Sequence, residues 1–196
     1  MSEIQFVLPL MYRWGMSATS PVHVLRASLA ADRDGLRAAV ERVPAALRER
    51  KPAPERWSVA EVLEHLGIVE SRTVAALTPL ISNAPANGAV TAPTAATPID
   101  RVVMRDRTQR VTAPDPICPT GTVNADAAWA ALERSRSALL ALLDTAEGRD
   151  LTTITRTHPR LGPIDGYQWI AAVGGHEERH SLQILEIADE LASEAT

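Results

Sequence analysis

The chain has 196 residues, of which 45% are hydrophobic and 22% charged, and a net charge of -4. That length suits one domain with a sizeable core. The acidic balance argues against nucleic acid as the main partner, because there is no basic surplus to neutralise phosphates. Aromatics make up only 4% while Ala and Leu are abundant, so packed helices are favoured over sheets.

In chain order, residues 1–19 form an N-terminal arm with the apolar run Ile4-Gln5-Phe6-Val7-Leu8-Pro9-Leu10-Met11-Tyr12. Pro9 breaks the run, and Glu3 stands where a secretory signal carries basic residues, so no such signal is expected. No stretch approaches the roughly 20 apolar residues of a membrane span. A cytoplasmic protein with no membrane partner is the expectation.

A bundle follows over residues 20–193. The first helix opens at Ser20-Pro21, a cap followed by proline at the first helical position. Val22, Leu25, Leu29, Leu36 and Val40 form its apolar stripe, and Pro44 stops it. The second opens at Ser58 with Glu61 three residues on, a capping box, and keeps the helical period to about Pro79 or Ile81. A long loop insertion, 83–123, comes next. Its first part is rich in Ala, Pro, Thr and Asn. Its second part, 99–111, carries Arg101, Arg105, Arg107 and Arg110 and has room for a short helix. These arginines read as a solvated surface or, more sharply, as a lid over an acidic substrate.

Cys118, in Pro116-Ile117-Cys118-Pro119, is the single cysteine, so no intramolecular disulfide can form. With no adjacent histidine and no helix start to lower its pKa, a catalytic thiol is not favoured. The third helix opens near Asn124 or Asp126 and runs through Trp129, Leu132, Leu139, Leu140 and Leu143 to a stop before Gly148. The segment holding His158 reads as a loop, with His158 a structural or pocket-rim residue. The fourth helix opens near Asp165 and carries Trp169, Ile170, Val173, Leu182, Ile184, Ile187 and Leu191, with Gly174-Gly175 inside it. Those glycines imply either a close helix contact or space for a ligand.

His176 and His180 lie four apart on this last helix, so both imidazoles share one face and can grip one metal ion. His65 on the second helix offers a third nitrogen. Alone, a histidine on an apolar helix face is more often a satisfied core residue than a ligand. Read literally, His176-Glu177-Glu178-Arg179-His180 also matches H-E-x-x-H of zinc peptidases. Gln183 and Glu186 stand where a metzincin needs its glycine and third histidine, however, and little strand signal exists to align a peptide. Glu177 lies about 100 degrees round the helix from His176, and Glu178 about 200. Neither is required to face a metal, and Arg179 reads as an ion-pair partner. Glu61 lies one turn before His65, but the capping box accounts for it.

Trp57-Ser58-Val59-Ala60-Glu61-Val62-Leu63-Glu64-His65-Leu66 resembles the second-helix signature of the DinB-like superfamily. His158-Pro159-Arg160-Leu161-Gly162-Pro163-Ile164 with Tyr167-Gln168-Trp169-Ile170 resembles the lead into that family's fourth helix. His176 to Ile184 resembles its paired-histidine motif. The resemblance, from about Ser20 to Leu191, implies an all-α up-down-down-up four-helix bundle with a divalent metal held by His65, His176 and His180. It also implies a varied chemistry: some members are transferases or isomerases that use a low-molecular-weight thiol, and others are classed as metal-dependent hydrolases. Imidazole ligands suit zinc or nickel first, without separating them from iron or manganese. The expected partner is a small-molecule substrate or thiol. A homodimer through helices one and three is open to the chain, with the arm covering a partner or the bundle end. The alternative is a non-enzymatic stress-response or interaction bundle with vestigial histidines.

Overall fold

The computed structural model describes residues 20–86, 98–108 and 112–193. The N-terminal arm, Arg110 and much of the Ala/Pro/Thr-rich insertion therefore lie outside the described residues. Four long helices dominate: α1 (Pro21–Glu41), α2 (Val59–Ser82), α4 (Ala125–Ala146) and α5 (Gly166–Ser193), with a short α3 (Arg101–Arg105) in the insertion. Each start has a side-chain cap that uses up orphan backbone N–H groups. The Ser20 hydroxyl accepts from Val22 N, and the Asn124 amide oxygen from Ala127 N. At α2 the capping box forms: Ser58 Oγ accepts from Glu61 N at 3.2 Å, and Glu61 Oε2 accepts from Ser58 N at 2.8 Å. An equivalent exchange opens α5, where Asp165 Oδ1 accepts from Gln168 N and Gln168 Oε1 accepts from Asp165 N.

Two apolar clusters set the helix directions. One joins Leu25 and Leu29 of α1, Leu77 and Ile81 of α2, Leu139 and Leu143 of α4, and Ile170 and Val173 of α5. The other joins Leu36 and Val40, Val59 and Leu63, Ala128 and Leu132, and Ile184 and Ile187. The first cluster thus takes the starts of α1 and α5 and the ends of α2 and α4, and the second takes the opposite ends. The bundle is up-down-down-up. α2 lies against α4 and α5, and α1 against α5 and α4.

Between the clusters lies a buried polar layer to which every long helix contributes one charge: Arg33, Glu70, Arg136 and Glu177. Arg33 donates to Glu177 Oε1 from Nε at 2.9 Å and from Nη2 at 2.6 Å, and to Glu70 Oε2 at 3.2 Å. Arg136 Nε donates to Glu70 Oε1 at 2.7 Å, and Nη2 lies 2.9 Å from Glu177 Oε2. Cations and anions alternate, so the ring is neutral, as a buried set of charges must be to offset desolvation.

One element departs from the sequence reading. Residues 155–165 form an antiparallel hairpin, β1 (Thr155–His158) and β2 (Gly162–Asp165), rather than a loop. Thr-Arg-Thr-His has no apolar face, and three of its four residues are exposed, so no period-2 signal marks it. The turn closes at Gly162, whose φ of 71° suits glycine. No described helix is long and apolar enough to cross a membrane.

Candidate metal centre

The contact of α2 with α5 brings His65, His176 and His180 together, with one ring nitrogen of each within 4.8 Å of the others. His176 Nε2 lies 3.3 Å from His65 Nε2 and 3.0 Å from His180 Nε2. An ion holding tetrahedral nitrogens at about 2.0–2.1 Å needs them roughly 3.3–3.4 Å apart, close to what is seen. His65 and His180 are buried, and His176 is partly buried.

The far nitrogens fix the tautomers. His65 Nδ1 donates to the Ile117 carbonyl at 2.7 Å. His180 Nδ1 donates to Gln183 Oε1 at 2.8 Å, and Arg107 Nη1 donates to the same oxygen at 3.3 Å, which sets the amide's orientation. Both Nε2 atoms therefore present lone pairs toward His176. The single Nε2 of His176 can donate to only one of them, so by hydrogen bonding alone the trio is left with facing lone pairs. A cation at their centre removes that conflict. Ring-nitrogen support by a carbonyl or amide oxygen is the usual companion of histidine ligation.

Burial also keeps the rings neutral. His176 is lowered to about 3, chiefly by desolvation and then by the fields of His65, His158 and Arg179. Desolvation likewise holds His180 well below its ordinary value, reinforced by the other two imidazoles. For His65 desolvation outweighs the opposing pull of the Ile117 carbonyl. Trp57, immediately ahead of α2, covers one side, its ring centroid 4.9 Å from His65 and 6.4 Å from His180.

Other candidates fall elsewhere. Glu177 turns into the polar layer against Arg33 and Arg136, so the glutamate of the H-E-x-x-H string has no access to the histidines as a general base. Glu61 is absorbed by the capping box and by Lys51 at 2.8 Å. Arg179 donates to the Asp106 backbone carbonyl rather than to an acid. Arg101 binds Asp32 and Glu178, Arg105 binds Glu178, and Arg107 binds Glu186, so these arginines clamp α3 and its flank onto α1 and α5. Gly174 and Gly175 serve that clamp: a Cβ at Gly174 would overlap the Asp32 carboxylate, and one at Gly175 would come within 2.9 Å of Ile99 Cδ1. His158 stays outside the trio. Its Nδ1 accepts from Arg160 N and Leu161 N at 3.2 and 3.3 Å, and its ring packs edge-on against Trp169. His23 is exposed, and Cys118 Sγ donates to Ala113 O.

Sequence reasoning missed the two groups that orient the imidazoles of His65 and His180. Gln183 sits three residues after His180 on the same helix, a detectable spacing. Ile117 acts through its carbonyl, which no side chain announces.

An up-down-down-up helical bundle with three convergent histidines from α2 and α5 defines the class of protein: a helical bundle with a candidate metal centre. Residues 28–184 match the DinB superfamily, and the chain belongs to it. It is also 27% identical over 143 residues to the uncharacterized protein YuaE of Bacillus subtilis (strain 168), covering 72% of this chain and 83% of that one. No solved structure matches the chain.

Proposed function

We propose that this protein is a metal-dependent enzyme whose divalent ion, held by His65, His176 and His180, activates water or a low-molecular-weight thiol, making it a hydrolase or a thiol S-transferase. The observation that carries the reading is the convergence of three Nε2 atoms, of which those of His65 and His180 have their lone pairs turned inward by the bonds at Nδ1. Three nitrogen ligands are the number that leaves a further position for a reactant. A divalent ion there supplies Lewis acidity, under which bound water or thiol ionises near neutral pH.

The protein's part is preorganisation. The Ile117 carbonyl and the Gln183 amide aim two imidazoles, Trp57 screens one flank from water, and Arg33 and Arg136 hold Glu177, and with it the rotation of α5, so that His176 and His180 face α2. Zinc or nickel fits the imidazole set.

The first test is metal content of untagged protein beside His176→Ala. About one equivalent in the native chain, lost in the variant, supports the centre. No metal in the native protein and no uptake of added zinc or nickel overturns it. Cobalt-substituted protein then separates the two chemistries, since a small thiol that ligates the ion adds a thiolate charge-transfer band and water does not.

A further inference from the structure

Beside the metal centre lies a cleft of about 300 Å³, at the small end of the range for ligand sites. None of the three histidines lines it, but two of its lining residues connect it to His65. Val69 stands one turn of α2 beyond His65, and Ile117 carries the carbonyl that accepts from His65 Nδ1. The remaining polar lining is cationic or neutral: Arg72 and Arg156, the hydroxyls of Thr73 and Thr157, and Trp169. No Asp or Glu lines it, in a chain with a net charge of -4.

The described arginines divide between those that pair with a carboxylate and those, such as Arg42 and Arg134, for which the structure shows no such pair. Arg26, Arg33, Arg56, Arg101, Arg105, Arg107 and Arg136 each pair with a carboxylate. Arg72 and Arg156 make no ion pair among the described residues, although they come from different elements, α2 and β1, and meet on one cleft. A second cleft, of about 360 Å³, differs in its charge: Glu41 and Asp126 line it together with Arg37 and Arg48.

We infer that the cleft is the substrate subsite and that it selects a small molecule bearing a carboxylate, gripped by Arg72 and Arg156 while the reacting end reaches the histidines. This rests on the metal-enzyme reading above. Guanidinium is suited to it, because its planar donors match a carboxylate and its charge persists at any working pH.

The test uses metal-loaded full-length protein and calorimetric titration with mercaptosuccinate, succinate and 2-mercaptoethanol. Mercaptosuccinate and succinate are expected to bind the native protein and to bind Arg72→Gln/Arg156→Gln about tenfold more weakly or worse. Binding of the uncharged 2-mercaptoethanol should be the same in both. Arg42→Gln/Arg134→Gln, two exposed arginines away from the cleft, removes the same charge and should change nothing. Equal succinate binding by native and cleft-variant proteins overturns the inference, and so does equal weakening by the control pair or no dicarboxylate binding at all. Cobalt spectra recorded alongside keep the two claims apart. Arginine-dependent succinate binding without a thiolate band on adding mercaptosuccinate sinks thiol activation and leaves the anion subsite standing.

Discussion

At the residue scale, the trio works because each outer imidazole has one nitrogen tied and one presented. The Gln183 amide serves His180 as an acceptor that is itself held by Arg107. Gln183→Ala should therefore keep the fold and weaken metal affinity by about 10–100-fold, read by competition with a chromogenic chelator. An unchanged affinity would show that the α5 backbone alone aims His180. The same burial gives a pH signature. In the metal-free protein the three imidazoles titrate below 6.5, down to about 3 for His176, while in the unfolded chain they titrate near 6.5. Above 6.5 both states are neutral and nothing is lost. As pH falls below 6.5 the unfolded chain takes up protons that the fold refuses, so stability declines by about 1.4 kcal/mol per pH unit for each such group. Denaturant melts of chelated protein between neutral pH and about pH 5 should show this slope, and the His65→Ala/His176→Ala/His180→Ala triple variant should show a flatter one. At this scale the histidine cluster was legible because histidines four apart on an amphipathic helix carry a spacing. The Ile117 carbonyl was not, since every residue has one.

At the element scale, the four long helices were readable because caps and apolar stripes agree at each: Ser20-Pro21, the Ser58–Glu61 box, Asn124, and the Asp165 start. The hairpin was not, because β1 has no buried residue and β2 buries only Ile164, too little to give a period-2 pattern. The role of Gly174-Gly175 was left open between two meanings, and the docking of α3 decides it. Gly174→Ala sets two effects against each other. Intrinsic propensity favours alanine in a helix by about 1 kcal/mol, whereas its Cβ overlaps the Asp32 carboxylate that Arg101 holds at 2.7 Å. The overlap should win: the Asp32–Arg101 pair is displaced, amide exchange over residues 98–108 speeds up, and melting temperature falls. A rise in melting temperature with unchanged exchange would mean that the contact is slack and the glycines are there for another reason.

At the scale of the whole molecule, the charged ring of Arg33, Glu70, Arg136 and Glu177 ties all four long helices between the two apolar clusters, its α5 member lying between the candidate ligands His176 and His180 in sequence. Nothing in the sequence links its members, because alternation around a bundle axis has no linear period. Two apolar clusters already hold the ends, so the ring's contribution is to alignment more than to net burial energy. Breaking it from one side should be costly. Arg136→Met leaves Glu70 and Glu177 sharing Arg33 alone and frees the Leu29 carbonyl that Arg136 Nη1 holds at 2.7 Å. A buried charge left uncompensated costs about 3–5 kcal/mol. Glu70→Leu should cost a similar amount by leaving Arg33 and Arg136 to share Glu177. The double variant Arg136→Met/Glu70→Leu removes one charge of each sign and leaves the Arg33–Glu177 pair, at 2.6 Å, intact. Its loss should therefore be well below the sum of the single losses, a coupling that a denaturant-melt cycle reads directly. Metal affinity gives the second axis. Glu177 precedes no ligand contact of its own but is adjacent to His176, so Glu177→Gln should loosen the rotation of α5 and weaken metal binding, while the double variant, which keeps the Arg33–Glu177 pair, should bind nearly as the native protein does. Strictly additive stability losses, or equal metal affinity in Glu177→Gln and native protein, would show the ring to be four independent surface-style pairs that happen to be buried together.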